Sequence, residues 1–225
     1  MILRHLITGS LLCGLVSLSV PQVRGALPAD IVKPEYRLEL SREIEWQTLF
    51  QQFAAQGSVL SAFEELRYLP IRKRPIVLTG EMRLSPERGL SLHYLTPEEN
   101  RIIIDDQGIL VRDAQGRSRD VGNDPRAKGA TRSLLQVLRF DLATLERDFI
   151  LYGAREGHAW QVVLDPKPEA VVRDASLGQI VVRGQDQTLL MIELRRSEKQ
   201  RIEILVGKTE TGVTFSAEDL ATYFR

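Results

Sequence analysis

The sequence predicts a mainly β chain with helices, an α+β arrangement in which one long antiparallel sheet curls strongly and helices cover its concave face. Three observations carry this. Apolar residues recur at a helical period around residues 41–57 and 131–149, and at a period of two through most of the rest. The alternating segments are short and separated by Gly, Asp or charged residues, which suits a meander of hairpins. About ten strands in one sheet cannot stay flat, and a curled sheet with helices against it makes a pocket.

The chain opens with MILRHLITGSLLCGLVSLSVPQVRGA: a cation at Arg4, an apolar run from Leu6 to Val20, and a small-residue site at Val23-Arg24-Gly25. That is the layout of a secretory signal peptide, so residues 1–25 are expected to be cleaved and 26–225 to form a single domain. The run is short and interrupted by Gly and Ser, which disfavours the alternative of an uncleaved anchor. Cys13 lies inside it, after Leu12, where a lipid-attachment site wants a small residue. Beyond residue 25 there is no cysteine, which excludes disulfides, thiolate catalysis and Cys-based metal sites together. An exported chain without disulfides suits the periplasm of a Gram-negative bacterium.

Lys+Arg and Asp+Glu both number 30; without Arg4 and Arg24 the balance is 28 against 30. No basic excess is available for nucleic acid, and no later segment is apolar and long enough to cross a bilayer.

SREIEWQTLFQQFAAQG reads as a helix, with Ser41 placed to cap it, Glu43 and Glu45 in its first turn, and Gly57 ending it. Trp46, Leu49, Phe50 and Phe53 share its apolar face. SVLSAFEELRYL and RPIVLTGEMRLS are strands; in the second, Ile76, Leu78, Met82 and Leu84 point one way and Val77, Thr79, Glu81 and Arg83 the other. GLSLHYLT repeats this with Leu90, Leu92 and Tyr94, and RIIIDDQGILVRD is a hairpin about Asp-Gln-Gly. Residues 113–130 are a polar loop. TRSLLQVLRF and DLATLERDF, the latter capped by Asp141, are short amphipathic helices. Strands follow in FILYGA, HAWQVVLDP, LGQIVVRG, TLLMIELRR, QRIEILVG and GVTFS, and AEDLATYFR closes the chain as a helix or turn.

Catalytic chemistry is sparse. His93, between Leu92 and Tyr94, faces away from any pocket those residues line, and it and His158 read as surface histidines. Glu64 and Glu65 fall on opposite faces of a strand, and Asp105 and Asp106 open a turn. No nucleophile elbow, phosphate loop or zinc motif occurs, so no enzyme, no cofactor and no metal is expected. Arg72-Lys73-Arg74, bracketed by Pro70 and Pro75, is the tip of a hairpin: either a solvated loop, or a patch for anionic headgroups or a partner. The apolar supply is equally open, being either all core or the wall of a cavity.

Several short motifs resemble the periplasmic outer-membrane lipoprotein carrier (LolA) family, in an order that agrees over nearly the whole mature chain. These are Ser61-Ala62-Phe63, Gly80-Glu81-Met82, Leu90-Ser91-Leu92-His93-Tyr94 up to Pro97, Asp106-Gln107-Gly108, and Trp160 through Lys167. The resemblance implies an unclosed antiparallel barrel whose helices lie in its mouth as a lid, and a monomeric carrier that shields acyl chains of lipoproteins or other lipidated cargo. Its partners would be an inner-membrane transporter or exporter and an outer-membrane acceptor. Cargo would contact Ile76, Leu78, Met82, Leu84, Leu90, Leu92 and Tyr94, and the lid would contribute Leu134, Leu138, Leu142 and Leu145. The family's lid-latching arginine before a proline is replaced here by Ser85, leaving Arg88 as a candidate. This departure points to a related branch, and a lipid- or peptide-sensing or exporter-accessory scaffold is the alternative function.

Overall fold

A computed structural model describes residues 27–121, 134–140, 142–173 and 178–225, with the side chains of 41, 142–144 and 173 outside the description. The expected signal peptide, Cys13, the Asp141 cap and the Leu142 side chain lie outside the described residues.

Eleven strands among the described residues form one antiparallel sheet: β1 (Val59–Tyr68), β2 (Ile76–Ser85), β3 (Gly89–Thr96), β4 (Asn100–Asp105), β5 (Gly108–Asp113), β6 (Ser118–Asp120), β7 (Phe149–Glu156), β8 (Ala159–Pro166), β9 (Gln179–Gln185), β10 (Thr188–Ser197) and β11 (Gln200–Thr211). Their spatial order is β6-β5-β4-β3-β2-β1-β11-β10-β9-β8-β7. Neighbouring strands are consecutive in the chain except β1 and β11, which join the two halves (Val59 opposite Thr211, Tyr68 opposite Arg201). β6 and β7 are the two edges and do not pair with each other, so the barrel is open; the outer side of β7 takes only a short bridge from the N-terminal segment, Arg37 opposite Tyr152.

The helices are α1 (Ile44–Ala54), α2 (134–139), α3 (Leu142–Asp148), α4 (Pro168–Arg173) and α5 (Ala217–Tyr223). α1 begins two residues later than a Ser41 cap requires: Glu43 holds the cap position, and Ser41 falls in a preceding 3-10 turn. Gly57, at φ 70°, turns the chain into β1. GVTFS is not a separate strand; the previous strand runs on to Thr211, because pairing with the full length of β1 extends it. β6 and α4 were not legible in the sequence, being a three-residue edge and a six-residue helix, each too short to show a period.

The alternation of each strand splits the apolar residues between two faces. On the inner face the main core gathers Phe63, Met82, Leu84, Leu90, Leu92 and Tyr94 with Trp46, Leu49, Phe50 and Phe53 of α1 and Leu134, Leu135, Val137, Leu138 and Leu145 of α2 and α3. On the outer face a smaller cluster, Ile31, Ala154, Val163 and Val181, is covered by the N-terminal segment through Leu27 and Tyr36. α5 packs against the outer face of β2–β5. There the Arg83 guanidinium lies 3.6 Å from the Tyr223 ring centroid, and Arg112 donates to the Thr222 carbonyl at 2.6 Å. Gly80 is required beside the bulge that leaves Leu95 of β3 unpaired: a Cβ there would lie 2.1 Å from the His93 carbonyl oxygen and 3.0 Å from the Phe63 ring.

Candidate functional site

One end of the inner face is not filled. A cavity of about 640 Å³ lies between the start of β1, the end of β2, the end of β11 and the C-terminal turns of α1 and α2. Val59, Met82, Leu84 and Val206 wall it from the sheet, Leu189 from β10, and Phe53, Leu138 and Phe140 from the helices. The volume is that of a small-molecule site, and its wall is apolar in the way such sites are.

These residues come together through pairing. Met82 lies opposite Ser61 and Leu84 opposite Val59, so the inner faces of β1 and β2 coincide. Phe140 roofs the space and stacks on Phe53 with ring centroids 4.6 Å apart. Its φ is 50°, a left-handed conformation that a bulky side chain rarely adopts. The turn between α2 and α3 is therefore strained, at a cost of order 1–3 kcal/mol, and the aromatic contact with α1 holds it. Lys208 is exposed at the opening, with Gln56, Thr209 and Arg139 part-exposed, while the buried Ser61 shares a hydroxyl hydrogen bond of 3.0 Å with Thr209 from inside. Arg139 also reaches Asp106 on the β4–β5 turn at 3.1 Å, tying the helical roof to the sheet. Arg88 instead donates to the Arg225 backbone oxygen at 3.5 Å, on the far side from the roof.

Of the residues expected to meet cargo, Met82 and Leu84 border this cavity, as does Leu138 of the expected lid. Leu90, Leu92 and Tyr94 are buried in the main core and do not line it, although Leu90 and Leu92 stand opposite Leu84 and Met82; Leu78 packs at the core's margin, and Ile76 is half-buried toward the other end of β2. Leu134 and Leu145 are buried in the core. Arg72, Lys73 and Arg74 are exposed in the β1–β2 connection. Val59, Phe140, Leu189 and Val206 were missed, because they join Met82 and Leu84 only through register and helix placement. Phe53 was visible on the helical face.

Further along the inner face, Glu65 is 2% exposed, while its neighbour Glu64 is exposed on the opposite face. Tyr94 donates its hydroxyl to Glu65 at 2.6 Å, and Arg67 pairs with the same carboxylate. Burial, and then the Glu65 charge, push the Tyr94 phenol far above its ordinary range. Burial opposes the Arg67 cation, but Glu65 and Tyr94 outweigh it and its pKa rises.

His93 faces the outer side, as alternation requires, yet it is not a surface residue: it is 7% exposed beneath α5. Its Nε2 lies 3.0 Å from Glu99, and its ring lies against Tyr223. The hydrogen bond from His93 holds Glu99 below the usual carboxylate range. The C-terminal helix, which the linear pattern of β3 does not announce, buries it. His158 is exposed and paired with Asp186 at 2.8 Å. Asp105 caps its turn and also meets Arg225 at 2.9 Å. No group of metal-ligating side chains occurs among the described residues, and no helix among them is long and apolar enough to cross a membrane.

An open, curled antiparallel sheet with helices roofing an apolar cavity defines the class. The chain belongs to the outer membrane lipoprotein carrier protein LolA-like family, whose model matches residues 40–222. None of the curated proteins matches it in sequence. Among solved structures it is similar to the Pseudomonas aeruginosa MucA/MucB complex at 15% identity and TM-score 0.43, covering 78% of this chain and 59% of that one. The chain thus spans somewhat over half the length of that relative. It is also similar to a LolA superfamily protein from Nitrosomonas europaea (8% identity, TM-score 0.41, covering 77% of this chain and 96% of that one). LprF from Mycobacterium bovis matches at 9% identity and TM-score 0.37, again covering 77% and 96%.

Proposed function

We propose that the protein is a non-enzymatic periplasmic carrier that shields acyl chains of lipoproteins or other lipidated molecules on their way toward the outer membrane. It receives them from an inner-membrane transporter or exporter and passes them to an outer-membrane acceptor. The observation that carries this is the unfilled cavity at the helix-covered end of the inner face, walled by Met82, Leu84, Val206 and Leu189 and roofed by Phe140. Each methylene taken out of water there gains about 0.8 kcal/mol, so a sixteen-carbon chain gains at most about 12 kcal/mol. Release needs a roof that moves. The left-handed Phe140 between α2 and α3, held by Phe53 rather than by favourable backbone, supports a roof that swings there. The polar rim suits cargo whose acyl chain ends in a hydrated head.

Native mass spectrometry of the protein from a periplasmic extract, with lipid extraction in parallel, tests the reading. A bound acylated species supports it, and its mass gives the cargo class. An unliganded mass, together with no uptake of a fluorescent acyl probe, refutes it.

A further inference from the structure

We propose that the end of the sheet opposite the cavity mouth is a docking surface for an anionic lipid bilayer, centred on the β1–β2 hairpin tip. Residues 70–74 of this tip are all exposed, and Ile71, at 92%, is the most exposed large hydrophobic residue among those described. Arg72, Lys73 and Arg74 follow it directly. No carboxylate occurs between Tyr68 and Gly80, and no side-chain partner of these three cations is present among the described residues. Other carboxylates at this end, among them Glu98, Glu99, Asp113, Asp148, Asp165, Glu169, Glu198 and Glu203, stand on other strands and connections. Glu99 is engaged by His93 and Arg101, and Asp113 by Arg117.

The apolar residues extend beyond the tip. Val77 and Leu95, each 48% exposed, lie beside it on β2 and β3, near the Thr79–Thr96 pair. α4 joins β8 to β9 at the same end and exposes Val171 and Val172. Five of the seven exposed large hydrophobics among the described residues thus gather at one end of the sheet, on three separate connections or strand ends. Exposed aliphatic groups beside unpartnered cations match the chemistry of an anionic bilayer interface, which takes aliphatic groups into its acyl boundary while the cations meet phosphates.

β1 carries cavity-lining residues at its start and the tip at its end. At about 3.4 Å per residue, its length puts some 30 Å between them. Contact at the tip therefore leaves the mouth in the aqueous phase, and this inference stands apart from the proposal about cargo.

The test is flotation of the purified protein with phosphatidylcholine vesicles, with and without phosphatidylglycerol. Three chains are compared: the parent, Arg72→Gln/Lys73→Gln/Arg74→Gln, and Ile71→Ser. All differ only at an exposed tip, so any contribution of residues 1–26 cancels, and matching melting curves verify their folding. The parent is expected to partition onto phosphatidylglycerol-containing vesicles and to be released by salt. The triple variant is expected to lose on the order of a hundredfold, about fivefold per cation, and Ile71→Ser about tenfold. Acyl-probe uptake should be the same in all three. Equal binding to neutral vesicles, no binding to either, or binding unchanged in both variants overturns the proposal. So does recovery on an acidic protein without any vesicle partitioning.

Discussion

Replacing Tyr94 by Phe removes one oxygen from the inner face of the sheet and leaves the ring in place. The ring keeps its edge-to-face packing on Phe63, with centroids 5.3 Å apart. What is lost is the 2.6 Å hydrogen bond to the Glu65 carboxylate, which is 2% exposed and cannot turn to water. Hydrogen bonds to a charged partner contribute about 1.5–3 kcal/mol net. Arg67 remains on Glu65, so the charge is not stranded, and the expected loss is about 2 kcal/mol. For a domain of this size that is roughly a 4–8 °C fall in Tm. Urea unfolding should show a lower midpoint with an unchanged slope. Because burial and Glu65 raise the phenol's pKa, the hydroxyl stays protonated in the fold. Its contribution is complete below the ordinary tyrosine pKa of about 10 and declines only as pH rises through the folded value. The deficit should therefore be the same at pH 6 and pH 9. Acyl-probe uptake should not change, since Tyr94 does not border the cavity. A loss under about 0.5 kcal/mol would refute the reasoning. Loss of uptake at full stability would place Tyr94 in the binding surface instead.

Three further outcomes are expected. Leu189→Trp, at the cavity wall, should lower acyl-probe affinity at least about tenfold with little change in urea midpoint; unchanged affinity would mean that the probe sits elsewhere. Gly184→Ala would place a methyl 2.1 Å from the buried Trp160 ring and 2.5 Å from the Thr188 carbonyl oxygen, so calorimetry should show a loss of about 1–3 kcal/mol. Asp219 is held below the usual carboxylate range by hydrogen bonds from the Ser216 hydroxyl and backbone N–H that cap α5. That stabilisation is complete above the ordinary aspartate pKa of about 4 and is lost as pH falls through the lower folded value. Amide protection factors across 217–225 should fall there in the parent, whereas in Asp219→Asn they should be lower already at neutral pH.

Much of this was readable in the linear pattern because a strand's period of two is local: Met82 and Leu84 share a face whatever surrounds them. The same rule placed His93 outward and separated Glu64 from Glu65. It could not say that α5 would lie over His93, since that helix is more than a hundred residues away in the chain. Nor could it divide Met82 and Leu84, which border the cavity, from Leu90 and Leu92, which are core, because all four show one alternation. Phe140 carries no signal of its left-handed backbone, and a short helix such as α4 gives no period to count.

By itself the sequence determined that this is a mainly β chain with a hairpin meander, an amphipathic N-terminal helix and an inserted helical pair, and that no familiar catalytic motif is present. Local periodicity and turn chemistry are enough for that. The tertiary structure alone decided that β1 pairs with β11, that the sheet stays open between β6 and β7, and where the inner face is left unfilled. Those outcomes depend on register between distant strands and on the fit of helices against them, and a cavity is the remainder of that packing, which no single segment encodes.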